Sequence, residues 1–221
     1  MRKMLKSRIK ELWSNKERRW EITVTISFLI SIVFALYNGF LGIYNHSIWN
    51  GSICVYYLLL LFIKALILID EKKIKNKDEN IKRIKRKKTF YISSILMFLI
   101  NLSLFVPITL MIVNQKSIEL DIIAGITIAT YTTYKVVISI IQYTKNRKNE
   151  NLAFRQIRTI NLIDAILSIL TLQNTLISIN GANDNRIMFI SSVISSFEGI
   201  VIIIALSVIS LIRCVKENKQ K

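Results

Sequence analysis

The chain has 221 residues, of which 52% are apolar and one is proline, with a mean hydropathy of +0.43 and a formal charge of +17. This composition excludes an ordinary soluble domain, and two cysteines with one histidine exclude a disulfide scaffold or a zinc module. The basic residues lie beside long apolar stretches, where anionic phospholipid headgroups are a nearer partner than nucleic acid, which is not expected to bind.

The chain opens on a basic arm, residues 1–21. Leu5, Ile9, Leu12, Trp13, Lys16 and Trp20 recur there at helical spacing. The pattern predicts an amphipathic helix in the inner interface, with Trp13 and Trp20 at headgroup depth. Six apolar stretches follow, at about 22–44, 48–69, 90–113, 118–143, 157–179 and 187–212. Each is long enough for a helix to cross ~30 Å of hydrocarbon. No cleavable signal is apparent, so the first stretch is expected to act as an uncleaved anchor. The expected fold class is all-α: one polytopic membrane domain, residues 1–221, of six transmembrane helices in three hairpins.

Lysine and arginine fall into alternate gaps. Twenty-seven of the 31 lie in the arm, in the loop at 70–89, around 145–158 and in the tail; Lys116 and Arg186 lie on the other side, and Lys64 and Lys135 within spans. By the positive-inside rule both termini are cytoplasmic, with anionic lipids as partners at that face. The loop at 70–89 is too polar to pack a core, so helix extensions around a solvated turn are expected. Lys64, six residues before Asp70, is expected to snorkel to the inner interface.

The outer end of the first hairpin gathers Tyr37, Asn38, Gly39, Tyr44, Asn45, His46, Trp49 and Asn50. Trp49 there is expected at the lipid interface, and Gly39 and Gly42 to allow close helix packing. The run YNGFLGIYNHSIWNGSICVYYLLLL, Tyr37 to Leu61, resembles stretches in uncharacterised small multi-span proteins of low-GC Gram-positive bacteria. That resemblance implies a bacterial plasma membrane and no particular activity. A parallel threefold repeat is a further expectation, from Asn45, Asn114 and Asn180 closing the odd helices and from matched sixteen-residue spacings in the even ones. Fixed bilayer thickness alone would produce such spacings too. Cys54 and Cys214 lie near opposite faces, too far apart for a disulfide.

Polar residues inside spans are the guide to function, because lipid cannot satisfy them. Asn161, Asp164, Ser168, Thr171, Thr175 and Ser178 form one face of the fifth span, and Ser191, Ser195 and Glu198 one face of the sixth. Hydroxyls in such a face serve equally as helix glue or as the lining of a path. Asp164 and Glu198 are the acids that lie away from the ends of the spans, and Lys135 lies at the same ~14 Å depth as Asp164, so the two are expected either to pair or to form a proton or cation site. Glu198 has no partner evident at its level.

Phosphate-binding glycine loops, HExxH, an intramembrane serine motif and paired cysteines are missing, so neither an enzyme nor a cofactor or metal site is expected. The leading expectation is a small transporter or channel with a polar path lined by spans five and six, its candidate site comprising Asp164, Glu198, Lys135, Asn161, Ser168, Thr171, Thr175, Ser191 and Ser195. The alternative is a non-catalytic sensor, immunity or assembly partner, or lipid-dependent scaffold, with a second copy or another membrane protein as partner. An intramembrane enzyme comes third.

Overall fold

A computed structural model describes residues 16–106, 109, 122–145, 152–180 and 185–219. Trp13, most of the basic arm, and residues 107, 108, 110–121, 146–151 and 181–184 lie outside them, as does the Trp20 side chain. Within them the chain is helical: α1 (Lys16–Tyr44), α2 (Ile48–Ile74), α3 (Glu79–Leu102), α4 (Ile122–Lys145), α5 (Leu152–Asn180) and α6 (Asn185–Lys219). Hydrocarbon offers no hydrogen bonds to an extended backbone, which is why apolar runs of this length coil into helices. Five of the six, all but α3, are long and apolar enough to cross a membrane.

Of the expected span at 90–113, α3 covers Phe90 to Leu102, 13 residues or about 20 Å, and residues 107, 108 and 110–113 lie outside the described residues. Beyond it the backbone tightens to three-residue bonds, Leu104 N to Asn101 O at 3.3 Å and Val106 N to Ser103 O at 3.1 Å, while Ser103 Oγ donates to Ile100 O at 2.7 Å. The sequence supplies the cause: a proline at 107 has no N–H for the Ser103 carbonyl four residues earlier, and a regular helix would drive its ring into that oxygen.

Helix α5 is the centre of the bundle. It packs against α2, α3, α4 and α6, and 61% of its apolar segment is buried, against 33–44% for the other four spans. Helices α1 and α2 pack against each other, as do α5 and α6. The expected middle hairpin is not present in the described residues: α3 packs on α2, α5 and α6, and α4 packs on α5, so the central helix separates them. The expected helix extensions at 70–89 do form, α2 running to Ile74 and α3 starting at Glu79. They are joined by an Arg86–Glu71 ion pair and by Thr89 Oγ1 donating to Asp70 at 2.7 Å. The Lys82 ammonium beside the exposed Glu79 holds that carboxyl below its ordinary range.

The first hairpin closes tightly. His46 takes a left-handed φ of 49°, and Ser47 then caps α2 by accepting from Asn50 N at 3.3 Å. A Cβ on Gly42 would lie 2.8 Å from Gly51 N, so this backbone approach requires a glycine. The same approach draws Trp49 inward. It is 5% exposed and belongs to the core, which corrects its expected place at the lipid interface. Gly42→Ala is expected to destabilise the protein by about 1–3 kcal/mol, whereas Gly51→Ala, whose Cβ would meet open space, should change little; thermal unfolding of both variants in detergent checks the contrast.

Candidate functional site

Four helices meet at Asp164. The α5 carboxylate is 0% exposed and accepts Lys64 Nζ of α2 at 3.0 Å and Lys135 Nζ of α4 at 2.5 Å, both on Oδ2. The Ser31 hydroxyl of α1 lies 3.3 Å from the same oxygen and 2.9 Å from Ser27 O, and itself accepts from Lys135 Nζ at 2.5 Å. Among the described residues Oδ1 has only the Tyr131 hydroxyl, at 3.5 Å. Lys135 Nζ also stands 5.3 Å above the Tyr131 ring, which stacks on Phe34 and meets Tyr57 edge-on. Aromatic rings thus wall the cluster on its outer side and exclude solvent from it.

The expected Lys135–Asp164 pair is therefore present, with a third member. Lys64 does not snorkel to the interface: it is 2% exposed and points into the bundle. Its helix explains why. Tyr57, Leu60, Leu61, Lys64 and Ile67 share the buried face of α2, so the lysine is directed at α5 rather than along the helix toward water. Two ammonium groups now face one carboxylate. With all three ionised, the cluster carries one uncompensated positive charge in a dry interior, where charge is tolerated only with close partners.

The α5 seam is buried from Asn161 to Thr175, Asn161, Ser168, Thr171 and Thr175 being no more than 3% exposed, and the Ser178 side chain lies outside the described residues. The seam faces α4 more than α6. Asn161 Nδ2 donates to Gln142 Oε1 at 2.6 Å, Ser139 Oγ to Asn161 O at 2.8 Å, and Thr132 Oγ1 to Ser168 O at 3.0 Å. The hydroxyls of Ser168, Thr171 and Thr175 donate back to carbonyls of their own helix. A second network, which the sequence reading missed, ties α3 to its neighbours. Tyr56 OH donates to Asn101 Oδ1 at 2.5 Å, Asn101 Nδ2 to Ser207, and Ser210 Oγ to Gln156 Oε1 at 3.1 Å. The available signal was the amide of Asn101 in the apolar part of the third span; Gln156, between Arg155 and Arg158 at the edge of the fifth, gave none.

The α6 residues separate from the α5 cluster. Ser196, Gly199, Ile200, Ile203, Ser207 and Ser210 form the inward face of α6, and Glu198 lies two residues, about 200° of helix rotation, from Ser196. Glu198 and Ser191 are accordingly exposed, and Ser195 donates to Gln173 Oε1 at 2.7 Å on the outer surface. Spans five and six therefore do not present one common polar face. Among the described residues a small cavity lies between Asp70, Glu71, Arg86, Thr89 and Gln156, and its volume of about 10 Å³ admits about one water molecule. Neither Cys54 nor Cys214 is in a disulfide, and no cluster of metal-binding side chains occurs among the described residues.

The charge arithmetic orders three variants. Lys64→Met leaves a one-to-one ion pair, as does Lys135→Met, whereas Asp164→Asn leaves two ammonium groups confronting each other. Asp164→Asn is expected to cost about 3–5 kcal/mol and either lysine variant clearly less, as read from thermal unfolding of the purified proteins; equal losses in all three would contradict this account of the cluster. No known protein family, curated protein or solved structure matches this chain.

Proposed function

We propose that this chain is a non-catalytic, multi-pass plasma-membrane component, an assembly or sensor subunit, rather than a conduit between α5 and α6. The observation that carries this reading is the burial of the α5 seam from Asn161 to Thr175, whose side chains are engaged by α1, α2 and α4 or by their own helix. A solute path would instead need polar groups left open to water. The buried Lys64–Asp164–Lys135 cluster supports the same reading, since it locks four helices around one point. Both termini lie in the cytosol, and the 70–89 extensions and basic tail meet anionic lipid there.

A transport reading keeps one observation in its favour: two ammonium groups beside one carboxylate at mid-depth have the composition of a site that exchanges a charge. Cysteines placed one at a time at Ser168, Thr171 and Thr175, in a background lacking Cys54 and Cys214, separate the readings. All three should resist a membrane-impermeant thiol reagent in intact cells and in inverted vesicles; modification at all three would establish a water-filled path and overturn the assembly reading. Orientation is checked by reporter fusions at Asn45 and Asp184, for which the expected outcome is extracytoplasmic placement.

A further inference from the structure

Glu198 is a carboxylate on the wrong surface for a protein that works alone. It stands 12 residues after Arg186 and 15 before Arg213, about 18 and 22 Å along the helix, which puts it near the middle of the bilayer. It is exposed, and so are Ile194, Phe197, Val201 and Ile202 around it, at 54%, 52%, 50% and 51%. In the isolated chain that surface faces lipid, which offers a carboxyl no hydrogen-bond donor. Glu198 has no hydrogen bond or ion pair with any described residue, and the span lysines, Lys64 and Lys135, are turned inward to Asp164.

The complement lies on the same surface. Gln173 of α5 is exposed beside α6, and its Oε1 accepts from Ser195 at 2.7 Å, which leaves its two N–H donors with no acceptor among the described residues. Ser195 and Glu198 are three residues apart, about 4.5 Å along the axis, so Gln173 and Glu198 lie within one helical turn of the same depth. Depth decides the geometry. Two copies inserted in the same orientation are related by an axis along the membrane normal, and that operation moves no residue up or down. A donor and an acceptor at one level on one face can therefore meet twice across such an axis, whereas a donor at another depth could not.

We propose that the α5–α6 face bearing Gln173, Ser195 and Glu198 is the interface of a twofold homodimer, in which the Glu198 carboxyl of each copy receives the Gln173 amide of the other. The contact satisfies two polar groups per copy that lipid leaves unsatisfied, and the exposed Ile194, Val201 and Ile202 pack around them. This inference does not depend on the assembly reading above: a transporter of the same fold would need the same face covered.

The test uses the full chain in liposomes of phosphatidylethanolamine and phosphatidylglycerol at low protein density, with subunits counted by single-molecule photobleaching. Wild type is expected to give two steps. Glu198→Leu and Gln173→Leu should each weaken association about tenfold, and the double variant should be little worse than either, because the two residues form one contact. Glu198→Gln, which still pairs with an amide, should retain the dimer. Leucine suits a lipid-facing position, so thermal unfolding of the single variants should match wild type. In a background lacking the native cysteines, copies carrying Gln173→Cys mixed with copies carrying Glu198→Cys should form an intermolecular disulfide. A single bleaching step for wild type would overturn the proposal, as would a dimer indifferent to Glu198→Leu. It would fall equally to a Glu198-dependent complex with a different chain, or to a disulfide between Cys at 198 and Cys within 107–116 of the same copy.

Discussion

Hydrocarbon cannot solvate a charge, and the Asp164 carboxylate sits where no water reaches it, so its partners must come from the protein. Lys64, Lys135 and Ser31 supply them from α2, α4 and α1, and each donor fixes the rotation of the helix that carries it. A helix turned by one residue, about 100°, would move its donor out of reach. Three neighbours are thereby oriented around α5 by one side chain, which apolar packing alone, tolerant of sliding, does not do. The cluster therefore specifies an arrangement more than it supplies net stability.

The Tyr56–Asn101–Ser207 and Gln156–Ser210 contacts do for α3 and α6 what Asp164 does for α1, α2 and α4. Between them the two networks hold all six helices to the central one or to its neighbours. Polar groups with this task leave little over to line a route for solute, and that links the packing to the functional reading. The same economy makes the few outward polar groups conspicuous. Glu198 and Gln173 contribute to neither network, so their place on the surface points outside the single chain.

Much of this was legible in the residues. Apolar run length marked the five helices long and apolar enough to cross a membrane, because bilayer thickness sets helix length directly, and matched depth brought Lys135 and Asp164 together. What escaped depended on rotation rather than depth. Lys64 was assigned to the interface because its distance from Asp70 allows snorkelling, yet the face it shares with Tyr57 and Ile67 looks inward. Trp49 followed the rule for interfacial aromatics until the contact of Gly42 with Gly51 pulled α2 against α1. Glu198 and Asp164 seemed to border one path because each lay on a polar stripe, but stripes on two helices say nothing of which way each is turned. Nor does adjacency in sequence decide packing: among the described residues α3 lies on α2, α5 and α6, and α4 lies on α5.

The order of Lys64, Lys135 and Asp164 along the chain has a bearing on biogenesis. Both ammonium groups are synthesised before the carboxylate that binds them, so during translation the first four spans present cations for which the nascent chain has no counterion. Such spans are poor candidates for release into lipid one by one. They are better held at the insertion machinery until α5 emerges, whose arrival would then act as the step that commits the whole bundle to leave together.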